Sequence, residues 1–310
     1  MHIFYTISDL QTFLKDKSKI GFVPTMGYLH EGHLSLVKKS LKQNPCTVIS
    51  IYVNPSQFNN KNDLKNYPRD EKKDLQMLKK ILGQNDCVFL PNEKEMNGYE
   101  SENDNSNYHL FCIPSHLKNC LCGQTRPGHF EGVCEIITKF LTILHESSAF
   151  ISLRTDRRIN MYLGKKDYQQ LKILESLIKS KFKNVRIIGC PIIREKNGLA
   201  MSSRNVRLDP KQRQIAVNLY KELLNAKQNL KTQNVKTDCN VFPFTSSKIS
   251  NLTNQIISNL EKNPEIKIDY IEIKDANDLR KISKKTKKII IAGAIFIKNI
   301  RLIDNILLRF

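Results

Sequence analysis

Apolar, β-branched runs alternate with amphipathic stretches through the first 190 residues of the chain. The apolar runs predict buried strands, and the stretches with apolar residues every three or four positions predict helices. The predicted strands are residues 19–24, 46–53, 86–90, 159–163 and 185–189, and the predicted helices are residues 32–43, 70–82, 132–144 and 167–180. Strands that alternate with helices at this spacing indicate a parallel sheet with crossover helices.

The rhythm changes after about Pro191. A long helix is predicted at 210–230, followed by a polar insert at 231–247, a second helix ending near Lys262, and strands at 266–273 and 288–297. We therefore predict an α/β fold in two domains: a Rossmann-like domain with a parallel sheet over residues 1–190, and a smaller α+β domain over residues 191–310.

Three local signals complete the predicted secondary structure. Ser8 and Gln11 have the spacing of a capping box that opens a first helix. Residues 54–69 and the asparagine-rich stretch 97–107 are polar, and both are expected to be exposed loops.

Composition narrows the class of protein. A hydrophobic content of 40% over 310 residues is typical of a globular chain, and the longest apolar run, 289–297, is about half a membrane span. No secretory signal is visible at the start, so we expect a soluble, cytoplasmic protein without a membrane partner. The formal charge of +20 favours an anionic partner, either nucleic acid or a polyanionic small molecule. Because the lysines are dispersed and no base-stacking aromatic pattern accompanies them, we expect no specific nucleic-acid partner.

The eight cysteines form no CxxC pair and are expected to be free thiols. One stretch crowds possible zinc ligands together: His116, Cys120, Cys122, His129 and Cys134. A single residue separates the two central cysteines, whereas zinc sites usually pair ligands two to four residues apart. The spacing therefore disfavours a metal site there.

Two histidines stand three residues apart just after a predicted strand and a glycine. That spacing places His30 and His33 on one face of a first helical turn. A helix N-terminus attracts anions through its free N–H groups and dipole, and two imidazoles there can donate hydrogen bonds to phosphate oxygens. A pair of ordinary surface histidines is the alternative. The preceding Val-Pro-Thr-Met-Gly, at the carboxyl end of a strand, favours phosphate binding.

The surrounding string, PTMGYLHEGHLSLV, resembles the signature of the pantothenate synthetases, a family of the nucleotidylyltransferase superfamily with an HxGH motif. Further segments resemble landmarks of that family in the same order and span nearly the whole chain. They are NPSQF (54–58), DLKNYPRD (63–70), RPGHFEGV (126–133), GKKDYQQL (164–171), GLAMSSRN (198–205) and RLIDN (301–305).

The resemblance implies a reaction. The family condenses pantoate with β-alanine, using ATP and Mg2+, through a pantoyl-adenylate that releases pyrophosphate and then AMP. Such chemistry needs positioning and charge neutralisation more than covalent catalysis. The resemblance also implies that residues 1–190 form the domain that binds ATP and pantoate, that residues 191–310 form a lid domain carrying the MSSRN loop, and that the protein is a homodimer.

The resemblance assigns the ATP site and the catalytic side chains. His33 is implied as proton donor to the leaving group, and Lys166 as the cation on the α-phosphate. His30, the other histidine of the motif, is implied as a further catalytic residue. The implied ATP-binding residues are Met26, Gly27, Tyr28, Leu29, His30, Glu31, Gly32, His33, Gly164, Lys165, Lys166, Asp167, Ile193, Met201, Ser202, Ser203 and Arg204.

The resemblance likewise implies the substrate pocket. Gln57 and Gln170 are expected to hydrogen-bond pantoate, because neutral amides can hold hydroxyls and a carboxylate without trapping the charge that must react. The remaining implied pocket residues are Asn54, Tyr67, Arg126 and His129. No protein side chain is assigned as a ligand of Mg2+.

The sequence departs from the family pattern in three places. Lys165 stands where an acidic residue is usual, which gives adjacent lysines. Cys122 and Glu131 replace a common glutamate and a frequently basic residue near the region where family subunits pair. The stretch 147–158 is longer and more basic than usual and is expected to be a solvated loop.

Two other functions stay open at this point. A nucleotidyltransferase of the same superfamily would share the HxGH motif, but its acceptor pocket needs basic residues to receive a phosphate, whereas Gln57 and Gln170 suit a carboxylate and hydroxyls. A basic chain that has lost activity and binds RNA is the second alternative. Candidate catalytic residues at every motif argue against it.

Overall fold

The computed structural model describes residues 1–99, 111–146, 157–234 and 245–309. The chain forms two compact units, and both are discontinuous in sequence. The first unit comprises Met1–Ile113, Gly128–Lys165 and Ile173–Pro191, and the second comprises Pro114–Pro127, Lys166–Lys172 and Ile192–Phe310. The predicted domain division after residue 190 stays a prediction.

The first unit is built on a six-stranded parallel sheet in the order β1-β4-β3-β2-β5-β6. The strands are β1 (His2–Phe4), β2 (Lys19–Thr25), β3 (Thr47–Ile51), β4 (Cys87–Phe89), β5 (Arg158–Gly164) and β6 (Val185–Cys190). Phe22, Ile49 and Val88 are almost completely buried, as expected for central strands covered on both faces. Together with the antiparallel sheet of the second unit, this sheet confirms the predicted fold class.

The strand order places a reversal next to β2. Its neighbours are β3 on one side and β5 on the other, so the chain proceeds outward in both directions from this pair of central strands. In open parallel sheets, ligands bind beyond the carboxyl ends of the strands at such a reversal. The segments that follow Thr25 in β2 and Gly164 in β5 therefore lie where a ligand is expected.

Helices of the first unit flank this sheet. They are α1 (Ile7–Leu14), α2 (Glu31–Gln43), α3 (Lys61–Lys65), α4 (Glu71–Lys79), α5 (Glu93–Asn97) and α8 (His129–Glu146), while α9 (Tyr168–Lys181) has residues in both units. α8 begins three residues earlier than the predicted 132–144 and ends two residues later.

The predicted capping box of α1 is wrong. Thr6 is the N-cap, and its hydroxyl oxygen accepts a hydrogen bond from the backbone N–H of Asp9 at 3.2 Å, so Ser8 lies inside the helix. The helix starts earlier because Ile7 and Leu10 already belong to its buried face. A threonine followed three residues later by an aspartate was the capping signal in this sequence.

The polar stretch 54–69 is not one continuous loop. It contains a 3-10 turn at Pro55–Gln57 and the short helix α3, whose N-cap Asn60 accepts from the backbone N–H groups of Asn62 and Asp63. Local capping by asparagine therefore produced helical structure where polarity alone had predicted an irregular loop.

The expected solvated loop at 147–158 is also wrong at its end. Residues 147–156 lie outside the described residues, but Arg157 is 2% exposed. Its guanidinium donates to the carbonyl groups of Lys17 at 2.7 Å, and of Leu14 and Leu144 at 2.5 Å each, near the ends of α1 and α8. Burial lowers the pKa of Arg157 to about 10. Arg157 thus adds side-chain donors to carbonyl groups near the C-terminal ends of two helices.

The second unit contains an antiparallel sheet in the order β7-β8-β9, covered by two longer helices. The strands are β7 (Ile266–Asp275), β8 (Lys288–Ile297) and β9 (Ile300–Arg309), and the helices are α6 (Ser115–Lys118), α7 (Cys122–Thr125), α10 (Pro210–Asn234) and α11 (Ser246–Glu261). Strand β9 was missed because Asp304 and Asn305 interrupt its apolar pattern, although both are buried.

The remaining loop predictions fall mostly outside the described residues. Residues 100–107 of the stretch 97–107 and residues 235–244 of the insert 231–247 lie outside the described residues. Residues 231–234 continue α10 rather than beginning a loop. No helix in the described ranges combines the length and the apolar character needed to cross a membrane.

Candidate active site

The segment after β2 forms a tight, left-handed loop. Gly27 has φ of 79° and Tyr28 has φ of 49°, and a tyrosine in this region of backbone space is uncommon. The carboxylate of Asp74, on α4, accepts hydrogen bonds from the backbone N–H of Tyr28 at 2.7 Å and of Leu29 at 2.6 Å. Two consecutive N–H groups are thereby fixed by one side chain that is 1% exposed.

The loop delivers His30 and His33 to the first turn of α2. His30 is the N-cap, and its Nδ1 accepts from the backbone N–H of Gly32 at 3.1 Å, which leaves the proton of the neutral ring on Nε2. The two imidazoles stack with ring centroids 4.0 Å apart. The structure therefore brings both rings together at the positive end of a helix, beyond the carboxyl end of β2.

A second set of predicted residues assembles around the 3-10 turn after β3. The Nε2 atom of Gln57 lies 2.7 Å from the Sδ atom of Met26, and Nδ1 of His129 is 2.7 Å from the carbonyl oxygen of Gln57. Asn54 donates its amide to the carbonyl of Gly132 at 3.0 Å. These contacts join three segments of the first unit: the loop at residues 26–30 (the histidine loop), the 3-10 turn and the start of α8.

Gly132 explains why this packing is so close. A Cβ at that position would lie 2.5 Å from the carbonyl oxygen of Ser56, so only glycine lets α8 approach the turn.

The other predicted residues of the first unit lie in neighbouring segments. Tyr67 lies beside Phe58, with ring centroids 5.5 Å apart in an edge-to-face arrangement. Glu31 and Gly32 follow His30 at the start of α2. Gly164 is the last residue of β5, and Lys165 follows it, so both lie at the carboxyl end of that strand.

The start of α9 is anchored in the second unit. The carbonyl oxygen of Lys166 accepts from the side-chain amide of Asn305 at 2.8 Å, and the hydroxyl of Tyr168 donates to the carbonyl of Ala276 at 2.9 Å. Gln169 is buried, and its amide donates to the carbonyls of Leu117 and Cys120 at 2.7 Å each. These bonds fix the backbone that carries Lys166, Asp167 and Gln170.

Ile193 and the MSSRN loop belong to one hairpin of the second unit, at residues 193–205 (the MSSRN hairpin). The backbone N–H of Met201 donates to the carbonyl of Ile193 at 3.0 Å. Gly198 turns the chain with φ of 97°. Ser202 is the N-cap of a 3-10 turn at Ser203–Arg207, and its hydroxyl accepts from the backbone N–H of Arg204 at 3.2 Å.

Arg126 follows α7, in the part of the second unit that packs on β7. The backbone N–H of Leu121 donates to a carboxylate oxygen of Glu272 at 2.7 Å, and the thiol of Cys122 lies 3.3 Å from the hydroxyl of Tyr270. Cys122, one of the departures from the family pattern, is therefore an internal packing residue of this unit.

The crowded cysteines and histidines do not form a metal cluster. Over the described ranges, no three His, Cys, Asp or Glu side chains lie together in a way that could hold a metal ion. The seven cysteines described are free thiols, as expected. Burial raises the pKa of Cys46, Cys120 and Cys134 to about 12, so these thiols stay protonated at neutral pH.

Sequence reasoning missed the side chains that hold the site in place. Asp74, Arg194 and Asn305 touch the predicted segments but were given no role. Asp74 offered a signal: it lies one helical turn before the fully buried Leu78, so an acidic residue occupies a core-facing position. Asn305 lay within the RLIDN landmark, but its partner Lys166 is 139 positions away in sequence.

The chain is similar to proteins of one family over its whole length. The family model described as Pantoate-beta-alanine ligase matches residues 2–307. The pantothenate synthetase of Fervidobacterium nodosum is 40% identical over 313 aligned residues, covering 100% of both chains. That of Thermotoga petrophila is 39% identical, covering 99% of this chain and 100% of the relative.

Solved structures agree with the sequence relatives. A pantothenate synthetase of Thermus thermophilus superimposes with a TM-score of 0.81 at 31% identity, covering 99% of each chain. The pantoate-beta-alanine ligase of Francisella tularensis, complexed with beta-gamma ATP and beta-alanine, superimposes with a TM-score of 0.70 at 34% identity, covering 99% of this chain and 97% of the other. This chain belongs to the pantoate-beta-alanine ligase family.

Proposed function

We propose that this protein joins pantoate to β-alanine in an ATP-dependent reaction that passes through a pantoyl-adenylate. The observation that carries the proposal is the pair of stacked imidazoles at the N-terminus of α2, beyond the carboxyl end of a central parallel strand, in a chain that matches the family over residues 2–307. A helix N-terminus with two imidazoles suits a triphosphate. The reaction is that of a ligase in pantothenate and coenzyme A biosynthesis.

In the first step, a carboxylate oxygen of pantoate attacks the α-phosphorus of ATP in line, and pyrophosphate leaves. His30 donates a hydrogen bond from Nε2 to the departing pyrophosphate, on which negative charge builds, and His33 donates a proton to it. The left-handed loop from Met26 to Leu29 directs the chain so that both rings meet at the helix N-terminus. The imidazoles therefore act through position, hydrogen bonding and proton donation rather than as nucleophiles.

The segment after β5 and the MSSRN hairpin supply the other contacts to ATP in this proposal. Lys166 places its ammonium on the α-phosphate and on the attacking carboxylate, where negative charge concentrates in the transition state. Gly164, Lys165 and Asp167 hold the nucleotide, and Ile193 lies beside adenosine. The hairpin residues in contact with phosphate are Met201, Ser202, Ser203 and Arg204.

Pantoate is held mainly by amides. Gln57 and Gln170 bind its hydroxyls and carboxylate, and the bond between His129 and the carbonyl of Gln57 fixes the turn that presents the first of them. Asn54, Tyr67 and Arg126 shape the pocket. In the second step the amine of β-alanine attacks the acyl carbon, the bond between that carbon and the bridging oxygen breaks, and AMP leaves with the oxygen.

Mg2+ is part of the proposal as the counter-ion of ATP. Magnesium usually keeps several waters and binds through one or two carboxylates together with phosphates, so it needs no dedicated protein cage. Over the described residues, no three His, Cys, Asp or Glu side chains lie together in a way that could hold a metal ion, and we assign no protein ligand to Mg2+. When bound, the ion neutralises charge on the triphosphate.

The proposal extends to organisation and location. We expect residues 1–190 to bind ATP and pantoate, residues 191–310 to act as a lid that carries the MSSRN loop, and the protein to be a homodimer in the cytoplasm. Free thiols agree with a reducing compartment. Sedimentation at several protein concentrations tests the dimer.

Mass spectrometry of the products tests the function. Purified protein incubated with ATP, Mg2+, pantoate and β-alanine is expected to yield pantothenate and AMP in equal amounts. AMP should be released only when both pantoate and β-alanine are present. Transfer of a nucleotide onto a phosphate acceptor, without pantothenate, would support the nucleotidyltransferase alternative. Inertness towards every small substrate, together with tight RNA binding, would support the non-enzymatic alternative.

A further inference from the structure

A buried ion pair ties the MSSRN hairpin to strand β9. The guanidinium of Arg194 meets the carboxylate of Asp304 through two bonds, Nη1 to Oδ2 at 2.5 Å and Nη2 to Oδ1 at 2.9 Å. The side chain of Asp304 is 5% exposed. Nη1 also donates to the carbonyl of Gly198 at 3.0 Å, and the guanidinium lies over the ring of Tyr220 at 3.7 Å. One side chain thus holds the turn of the hairpin and the strand together.

Asn305, the next residue of β9, extends this connection to α9. Its backbone N–H donates to Oδ1 of Asp304 at 2.7 Å, and its side-chain amide donates to the carbonyl of Lys166 at 2.8 Å. Asn305 is 4% exposed, so little water can compete for the hydrogen bond of its side-chain amide. All these contacts lie within the second unit.

Small residues on the neighbouring strand lie opposite these two polar side chains. Asp304 and Asn305 stand opposite Gly293 and Ala292 of β8, and neither of these neighbours has a long side chain. Replacing a buried ion pair by apolar residues is often neutral or stabilising, so stability gives little reason to keep one in a strand of isoleucines and leucines. A two-bond fork between arginine and carboxylate does fix direction as well as distance.

We propose that Arg194, Asp304 and Asn305 form a positioning device that holds Lys166 and the MSSRN hairpin in one fixed arrangement for the adenylation step. This inference rests on the proposed function, because it assigns the device to that step. The three side chains are positioning residues: they act through the carbonyl of Lys166 and the carbonyl of Gly198, and not on the reacting atoms. Displacement of Lys166 by a fraction of an ångström is enough to weaken a transition-state contact.

Asn305→Ala tests the link to Lys166. It is expected to lower kcat for pantoate-dependent exchange of labelled pyrophosphate into ATP by about tenfold, with the KM values for ATP and pantoate changed less than about twofold, because the contact matters in the transition state. The matched control is Asn259→Ala, which removes an amide bonded at 2.8 Å to Glu222 in the same unit. The control is expected to exchange at the wild-type rate.

A double-mutant cycle separates positioning from general damage. In a Lys166→Ala background, Asn305→Ala is expected to change the residual exchange rate by less than about twofold, because the side chain through which it acts is gone. A further tenfold loss in that background, or equal rates for the Asn305 and Asn259 variants, would overturn the inference.

Arg194→Lys covers the case in which Asn305→Ala does not fold. Lysine keeps the charge near Asp304 but cannot form the two-bond fork, and we expect a fall of about threefold or more in kcat with an unchanged circular dichroism spectrum. Wild-type kcat in this folded variant would contradict the device. If the wild-type chain itself makes no pantothenate, the proposed function fails; an active wild type with unaffected variants overturns only this inference.

Discussion

The histidine loop of the first unit and the MSSRN hairpin of the second are held in place by different chemistry. Asp74 holds the histidine loop by accepting two backbone N–H groups. The hairpin is held by arginines: Arg194 pairs with Asp304, and Arg213 pairs with Glu195 at 2.6 Å. In the first case a buried carboxylate accepts from backbone dipoles, and in the second arginines form ion pairs with carboxylates, of which Asp304 is the most buried at 5% exposed.

The histidine loop is held at a cost in stability. Burial raises the pKa of Asp74, although the two backbone hydrogen bonds act in the opposite direction. Ionising this carboxyl group is therefore less favourable in the folded chain than in the unfolded chain. Only the ionised form, however, accepts hydrogen bonds at both oxygens. In the hairpin the opposite charges of arginine and carboxylate offset part of the cost of removing them from water, so these ion pairs add little net stability.

Removal of the cation assigned to the α-phosphate is expected to have the largest effect. Lys166→Ala should reduce pantoate-dependent exchange of labelled pyrophosphate into ATP by about a thousandfold, since an electrostatic contact made in the transition state is lost. Folding should be intact, because the anchor of this residue is its carbonyl group. The control is Lys179→Ala, an exposed lysine further along α9. Undiminished exchange by Lys166→Ala would remove its assigned role.

His33→Ala is expected to follow, with turnover about a hundredfold lower, the usual contribution of a positioned acid. Steady-state release of AMP measures it. His2→Ala serves as the control, because His2 lies on the edge strand β1 with its ring against the carbonyl of Gln84. Turnover of His33→Ala at the wild-type rate would mean that the stacked pair has no acid function.

Asp74→Asn tests whether the carboxylate contacts of the histidine loop matter for turnover. An amide accepts at one oxygen only and points its N–H2 at the second backbone donor, so the loop should shift and kcat should fall by about tenfold. Asp70→Asn is the matched control on the same helix: Asp70 is the N-cap of α4, where asparagine is an equally good acceptor. Equal kcat values in the two variants would show that the Asp74 contacts do not matter for turnover.

The smallest expected effect is on stability as a function of pH. Because the folded pKa of Asp74 is raised above its ordinary value of 3.8, its contribution to stability is full below that value and is lost as the pH rises through the raised pKa. The free energy of unfolding of the wild type, minus that of Asp74→Asn, should therefore decline from about pH 4 upward and then level off. Urea unfolding at closely spaced pH values measures the difference, and a flat difference would contradict the burial argument.

The parallel sheet was predictable because its central strands are covered on both faces, so their apolar runs stand out in the sequence. Strand β9 was not, since the two buried polar residues that carry the positioning device break the pattern by which strands are recognised. Capping of α1 by Thr6 and of α3 by Asn60 was visible in the residue types but was outweighed by other signals nearby.

The candidate site divides in the same way. His30 and His33 could be placed from their spacing and from the strand before them, and the other site residues came from the resemblance of whole motifs. Its helical spacing marked Asp74 as a core-facing acid, but its partners could not be found from sequence, because they are backbone N–H groups 46 and 45 positions away and such groups leave no trace in residue identity. Supporting side chains of this kind become evident only in a folded chain.

The central claim is that this chain activates pantoate as an acyl-adenylate. Incubation with ATP, Mg2+, β-alanine and pantoate labelled with oxygen-18 in its carboxylate tests it directly. We expect AMP to gain one labelled oxygen and pantothenate to keep the other, because the bridging oxygen leaves with the phosphate. Pantothenate formed together with unlabelled AMP would rule out the acyl-adenylate.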